Sequence, residues 1–126
     1  MQHRRATPAD VPTLLAMQER FFADAGDALD LDASRAAMLD LIAHDSLGRF
    51  FVFEEANAIA GYMVIGFGFT LEFGGRDAFI DELYVAPHAR GRGIGSAALQ
   101  IAEEECRTAD IRALHLEVAH ENHRAR

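Results

Sequence analysis

A chain of 126 residues can bury one hydrophobic core and is too short for two ordinary domains, so residues 1–126 read as a single domain. Half of the residues are apolar and a quarter are charged, the balance of a folded globular protein, which sets aside disordered and fibrous classes. The net charge of −8 argues against duplex nucleic acid as the main partner, no apolar run reaches membrane-spanning length, and the lone Cys106 excludes an internal disulfide or an intrachain cysteine metal cluster.

In chain order, Met1 to Arg5 carries charge without a following apolar stretch; no secretory leader is read there, and the expected location is cytoplasmic. Residues 4–6 suit a short strand. Thr7-Pro8-Ala9-Asp10 is a helix start, with Thr7 as cap, Pro8 at the first helical position and Asp10 at the reciprocal capping-box position. Val11, Leu14, Leu15, Phe21 and Phe22 then recur at helical spacing up to about Gly26. Asp32 is the expected cap of a second helix, whose apolar face is Met38, Leu39, Leu41 and Ile42. Residues 50–53 and 59–69 are β-prone runs joined by a hairpin at Glu55-Ala56-Asn57. Gly74-Gly75-Arg76-Asp77 reads as the next tight turn, and residues 79–85 as a strand stopped by Pro87. After a glycine-rich segment, Ile94, Ala97, Ala98, Ile101, Ala102 and Cys106 mark one face of a third helix. Leu114, Leu116 and Val118 alternate with His115 and Glu117 in a last strand, with Asp110 in the turn before it. The order is β-α-α-β-β-β-α-β, a mixed α/β domain in which hairpins precede a βαβ crossover.

Arg90-Gly91-Arg92-Gly93-Ile94-Gly95-Ser96 lies between a strand and a helix, where backbone N–H groups and the positive helix end converge on an anion and glycines admit phosphates closely. A dinucleotide fingerprint needs a third glycine where Ser96 stands, and a Walker loop needs a Gly-Lys-Ser/Thr ending; neither is present.

Arg90-x-x-Gly93-x-Gly95 resembles the Arg/Gln-x-x-Gly-x-Gly/Ala signature of the Gcn5-related N-acetyltransferases (GNAT). The preceding Asp81-Glu82-Leu83-Tyr84-Val85-Ala86-Pro87 is similar to that family's cofactor strand, and Arg5-Ala6-Thr7 with Asp10 to its opening. The resemblance spans nearly the whole chain. It implies the GNAT fold and acetyl-CoA as co-substrate, without a metal. The pyrophosphate would lie on Arg90, Gly91, Arg92, Gly93, Ile94, Gly95 and Ser96. The pantetheine arm would pair with the backbone of Leu83, Tyr84 and Val85 in the opening between residues 79–85 and 113–118, and Asn122 would approach the cofactor. A nearby N–H would polarise the thioester carbonyl. The attacking amine must be neutral, and the candidate bases are Asp81 and Glu82, Glu82 slightly preferred. Strand alternation places those two carboxylates on opposite faces.

The sequence departs from the family pattern after Asn122. The resemblance calls for a further helix, often carrying a tyrosine that protonates the leaving thiolate, and two closing strands; the favoured expectation is a C-terminally truncated GNAT domain, the alternatives being a partner that completes the sheet or a general acid from elsewhere. The implied reaction moves an acetyl group to a primary amine of a small molecule such as a polyamine, amino acid or aminoglycoside. The alternatives are a CoA-binding regulatory module without turnover, or acetylation of a protein amine. A homodimer is the other partner the resemblance brings in, with oligomeric state left open.

The acidic balance suits a cationic acceptor, and Asp24, Asp27, Asp30, Asp32 and Glu72 fall in segments that border the acceptor cleft in that family, although loop carboxylates are ordinarily just solvated. Phe67, Phe69, Phe73 and Tyr62 cluster on the central hairpin, where sheet packing is the more ordinary role than lining a pocket. His115 reads as a surface residue, Cys106 as a buried small hydrophobe, and His120 with His123 lacks the third ligand of a zinc site.

Overall fold

The computed structural model describes residues 1–116. The elements are β1 (Gln2–Arg5), α1 (Val11–Asp24), α2 (Leu31–Ala43), β2 (Gly48–Glu55), β3 (Ala58–Thr70), β4 (Gly75–Val85), α3 (Ile94–Thr108) and β5 (Ala113–Leu116), in the order read from the sequence. They build one sheet in the order β1-β2-β3-β4-β5. The first three neighbouring pairs are antiparallel, whereas β4 and β5 run parallel because α3 carries the chain back across the sheet.

Residues 50–53 are a continuous apolar run because β2 is buried on both faces. Phe50 and Val52 join Leu14, Leu15, Phe21 and Met38 of α1 and α2 on one side, while Phe51 and Phe53 join Ile94, Ala98, Ala102 and Cys106 of α3 on the other. Ala98 and Ala102 are fully buried, small residues that bring α3 close to the strands. Burial also pushes the Cys106 thiol above its ordinary range, as befits a packed hydrophobe.

Three local expectations meet a different outcome or a sharper one. Asp30, rather than Asp32, caps α2: its backbone is extended and its carboxylate accepts from Ala33 N–H at 3.1 Å, whereas Asp32 is already inside the helix and pairs with Arg35 at 3.1 Å. The second hairpin turn lies at residues 71–74, and Gly75, Arg76 and Asp77 belong to β4, opposite Thr70, Phe69 and Gly68. The ladder holds them because β4 is flanked on both sides, with Asp77 also opposite Ala113 of β5. The first hairpin is as read, with Ala56 and Asn57 both at positive φ (52° and 65°), the geometry of a two-residue turn.

A 3-10 turn, Pro8–Asp10, leads into α1. The Asp10 carboxylate accepts from Thr7 N–H at 2.8 Å, the reciprocal half of the capping box, and from the two terminal nitrogens of Arg4 at 2.8 and 3.0 Å. Arg4 also reaches Glu54 of β2 at 3.2 Å, so the helix start is tied to the sheet. Hydrogen bonding to Arg4, assisted by Thr7, holds the Asp10 carboxyl down at about 2. That is below its ordinary value, so the stabilisation is complete above the ordinary carboxylate range and is lost as pH falls toward 2. Asp10→Asn should lower stability by about 1–2 kcal/mol at pH 7, after discounting for solvent screening. Urea unfolding at stepped pH should show this gap shrinking below about pH 4; a gap independent of pH would contradict the assignment.

Candidate active site

The antiparallel register of β3 and β4 slips at one point: Val64 faces Glu82 and Ile65 faces Ile80, leaving Asp81 as an extra residue in β4. The bulge exchanges the faces of the strand. Ala78 and Ile80 before it pack into the α3 core, but Glu82 and Tyr84 after it lie in the α1/α2 core, with Leu83 and Val85 now turned to the α3 side. The expectation that alternation separates Asp81 and Glu82 is thereby corrected. Both line one pocket of about 140 Å³ between α1, α2 and the sheet, together with Gln18, Ser34, Met38, Phe50 and Val64.

Glu82 is 7 % exposed, one of two buried polar residues in the described chain; the other is Gln18. Gln18 Nε2 donates to both Glu82 oxygens, at 3.1 and 2.9 Å, and Tyr62 Oη donates to Oε1 at 2.8 Å. Ser34 Oγ donates in turn to Gln18 Oε1. A carboxylate removed from water is tolerable only when hydrogen-bonded in this way. Burial, then the charge of Glu82, push the Tyr62 hydroxyl far above the ordinary phenol range, so it remains a donor. Tyr62 is therefore a hydrogen-bonding member of the site as well as a packing residue, stacked on Tyr84 at 5.9 Å.

Sequence reasoning missed Gln18 and Ser34. The available signal was position: Gln18 shares the apolar stripe of Leu14, Leu15 and Phe21, where an amide has no reason to stand unless a partner meets it.

Beyond the pocket, β4 runs into the glycine loop. Gly91 and Gly93 hold φ of 81° and 80°, a conformation that glycine adopts without strain. Gly93 caps α3, whose first backbone bond runs from Ala97 N–H to Gly93 O, leaving the N–H groups of Ile94, Gly95 and Ser96 outside the helical ladder. Apart from the adjoining residues and the backbone of α3 itself, no protein atom among the described residues lies within 4 Å of a Cβ built on Gly91, Gly93 or Gly95. For Gly95, in helical backbone, neither crowding nor backbone strain explains the missing side chain.

The side chains of this loop are placed differently from its backbone. Arg90 Nε donates to Val85 O at 2.9 Å, its guanidinium lies 5.9 Å from the Tyr84 ring, and it approaches Asp24 at 3.9 Å. Arg92 pairs with Glu55 at 3.4 Å. Ile94 is buried in the α3 core, so only its backbone faces the loop, and Ser96 is exposed. Tyr84 likewise presents backbone only, its ring being 1 % exposed. The described pairing of β4 with β5 covers Asp77 to Ile80 opposite Ala113 to Leu116; Leu83, Tyr84 and Val85 lie beyond it.

Other residues named from the sequence are not gathered at the pocket. Asp24, Asp27, Asp30, Asp32 and Glu72 line no part of it. Phe69 and Phe73 are exposed near the second hairpin turn, and Phe67 is covered by Arg49 and Arg76 at 4.9 and 4.8 Å. His115 stays beside Asp77 at 3.5 Å. Asn122, His120 and His123 lie outside the described residues, as do Glu117 and Val118. Both tyrosines of the sequence are buried, at 0 and 1 % exposure. Larger hollows of about 330 and 320 Å³ flank Met1 near α3 and near the first hairpin turn, and Glu82 lines neither.

Comparison with known proteins bears on this arrangement. The family model described as the acetyltransferase (GNAT) family matches residues 12–126. An integron cassette protein from the mobile metagenome of Cole Harbour Salt Marsh is 37 % identical with a TM-score of 0.88, over 99 % of this chain and 82 % of that one. A GCN5-related N-acetyltransferase from Ralstonia eutropha JMP134 is 28 % identical with a TM-score of 0.78, over 92 % and 82 % of the two chains. A predicted acetyltransferase with acetyl-CoA from Clostridium acetobutylicum has the same fold, with 24 % identity and a TM-score of 0.77 over 91 % and 79 %. Comparison with curated proteins gives no match.

The Tyr62–Glu82 bond makes a direct prediction. Tyr62→Phe removes the donor and keeps the ring, and should cost about 1.5–3 kcal/mol, the range for a hydrogen bond to a charged group. Urea unfolding at pH 7 measures it, and a loss below about 0.5 kcal/mol would mean that the hydroxyl does not support Glu82.

Proposed function

This chain belongs to the acetyltransferase (GNAT) family, and from that premise we propose that it transfers an acetyl group from acetyl-CoA to a primary amine of a small molecule, with Glu82 accepting the proton. The observation that carries the reading is the position of Glu82: a buried, hydrogen-bonded carboxylate beside Asp81 in a pocket at the end of β4. The same strand runs within a few residues into the glycine loop.

The loop fits the co-substrate. Gly91 and Gly93 turn the backbone, the α3 start offers N–H groups outside its ladder, and the space over Gly95 lets a phosphate come close. These groups would hold the pyrophosphate, with the helix dipole assisting. The backbone of Leu83 to Val85 would receive the pantetheine arm as an added strand. When bound, acetyl-CoA supplies the thioester that a neutral amine attacks.

The protein's own residues prepare that amine. An alkylammonium is drawn to the pocket by Asp81 and Glu82, since two carboxylates in a largely apolar hollow favour a cation. Glu82, fixed by Gln18 and Tyr62, takes the ammonium proton directly or across a water, and the amine lone pair becomes available. The apolar walls, Met38, Phe50 and Val64, suit an aliphatic chain behind the amino group.

The test is release of free thiol from acetyl-CoA against a panel of polyamines, amino acids and aminoglycosides. Amine-dependent release is expected, with Glu82→Gln reducing kcat by at least about a hundredfold, the usual contribution of a general base. Binding without amine-dependent release from any acceptor would instead favour a CoA-binding module. Gly95→Ala separates ligand from fold: it should raise the melting temperature slightly, alanine being favoured in a helix by up to about 1 kcal/mol, yet weaken acetyl-CoA binding in calorimetric titration. Unchanged affinity would remove the loop from the binding site.

A further inference from the structure

We propose that Gln18 and Ser34 form a reversible hydrogen-bond relay that positions Glu82 and lets it alternate between carboxylate and carboxylic acid without stranding a buried polar atom. This rests on the reading of Glu82 as proton acceptor.

A carboxylate only accepts hydrogen bonds, whereas the protonated acid must donate one. In a water-exposed site solvent adjusts to the change. At 7 % exposure most of the adjustment falls to neighbouring side chains. The groups packed on Glu82 differ in that capacity. Tyr62 from β3 is a donor in both states, because its hydroxyl is held far from ionisation. Among the described residues, the other titratable groups that act on the Tyr62–Glu82 pair are Asp81 and Tyr84 of β4 itself. From α1 and α2 come two neutral groups that can reverse, the amide of Gln18 and the hydroxyl of Ser34.

With Glu82 ionised, Gln18 turns its NH₂ to both carboxylate oxygens and its Oε1 accepts from Ser34 Oγ. When a proton passes from the substrate ammonium to Glu82 Oε2, a half-turn of the amide presents Oε1 to the new O–H. Nε2 then faces Ser34, whose hydroxyl accepts instead of donating. Tyr62 still donates to Glu82 Oε1. Glu82, Gln18 and Tyr62 keep a partner in both states, the half-buried Ser34 hydroxyl turns its own proton toward solvent, and release of the Glu82 proton after turnover restores the first arrangement. A leucine or a second carboxyl at position 18 has no such symmetry. Placing an amide on the apolar stripe of α1, with a hydroxyl behind it on α2, is what this exchange requires.

Gln18 and Ser34 are thus positioning residues, acting through Glu82. Gln18→Leu should lower kcat at least tenfold while leaving KM for acetyl-CoA within about twofold. It should also move the acid limb of the kcat profile up by about one pH unit, because the lost bond is stronger to the ionised form than to the acid. Ser34→Ala should act in the same direction but less, and Ser34→Thr, which keeps a hydroxyl, should recover most of that loss. The double variant Gln18→Leu/Ser34→Ala should match Gln18→Leu alone, since Ser34 works only through the amide. A readout that needs no turnover is the carboxyl titration of Glu82 by carbon NMR, whose midpoint should rise by about one unit in Gln18→Leu. A folded Gln18→Leu protein with an unmoved acid limb and unmoved titration would overturn the relay, as would additive effects in the double variant. Full activity of Glu82→Gln overturns the underlying reading and the relay with it, whereas an inactive Glu82→Gln beside an unaffected Gln18→Leu overturns the relay alone.

Discussion

The extra residue that β4 carries at Asp81 decides which side of the sheet receives a carboxylate. With unbroken alternation Glu82 would share a face with Ala78 and Ile80, among Ile65, Ile94 and Ala98. A charge buried there without partners costs several kcal/mol and would be neutralised or expelled. The bulge costs one irregularity in a strand of eleven residues and turns Glu82 and Tyr84 toward α1 and α2, where Gln18 and Tyr62 meet the carboxylate. The same step returns Leu83 and Val85 to the α3 core, so neither face loses its apolar packing. The charge, its partners and the two cores are solved by a single register shift.

That shift also binds the two halves of the site to one another. Phe21, Tyr84, Tyr62 and Phe50 form a continuous chain of rings, with successive centroids 6.2, 5.9 and 5.8 Å apart, behind the carboxylate. Arg90 of the glycine loop rests over Tyr84 and bonds the carbonyl of Val85. The pocket floor and the loop are therefore fixed to one four-residue stretch of β4, from Glu82 to Val85. On the proposed reading, drift between the group that takes the proton and the group that holds the other substrate would cost most, and a shared strand limits that drift.

How far the sequence reveals this depends on whether a feature belongs to one segment or to two. Amphipathic spacing in α1 and α3, the continuous run at residues 50–53 and the glycine loop each lie within one stretch of chain, and each was legible. The bulge is a relation between β3 and β4. Nothing within residues 79–85 marks it, because Ile80, Glu82 and Tyr84 alternate with Asp81, Leu83 and Val85 in a pattern that reads as a regular strand. Hence the carboxylates were assigned to opposite faces. Gln18 and Ser34 lie 64 and 48 positions from Glu82, so their partnership is a tertiary fact, although the placement of an amide among Leu14, Leu15 and Phe21 was a visible anomaly. The shift of the α2 cap to Asp30 has a smaller cause: three aspartates within six residues all suit a cap, and only the backbone selects among them.

The loop arginines show which groups would carry anion affinity on the proposed reading. Arg90 and Arg92 approach Asp24 and Glu55 at 3.9 and 3.4 Å, and both arginine side chains are roughly half exposed. The Arg90–Asp24 pair, exposed on both sides, contributes about 0–1 kcal/mol, so a pyrophosphate would displace it at little cost, whereas the Glu55 carboxylate that meets Arg92 is the more buried partner. The backbone is different. The left-handed turns at Gly91 and Gly93 and the packing of Ile94 against the α3 core fix the direction of the α3 N–H groups before any ligand arrives. An anion therefore meets donors whose ordering is already complete, while the arginines supply adjustable charge at the rim. On that reading, specificity for the phosphate group would follow from the backbone, and the arginine side chains would mainly tune attraction, which should weaken with salt as rim charges do.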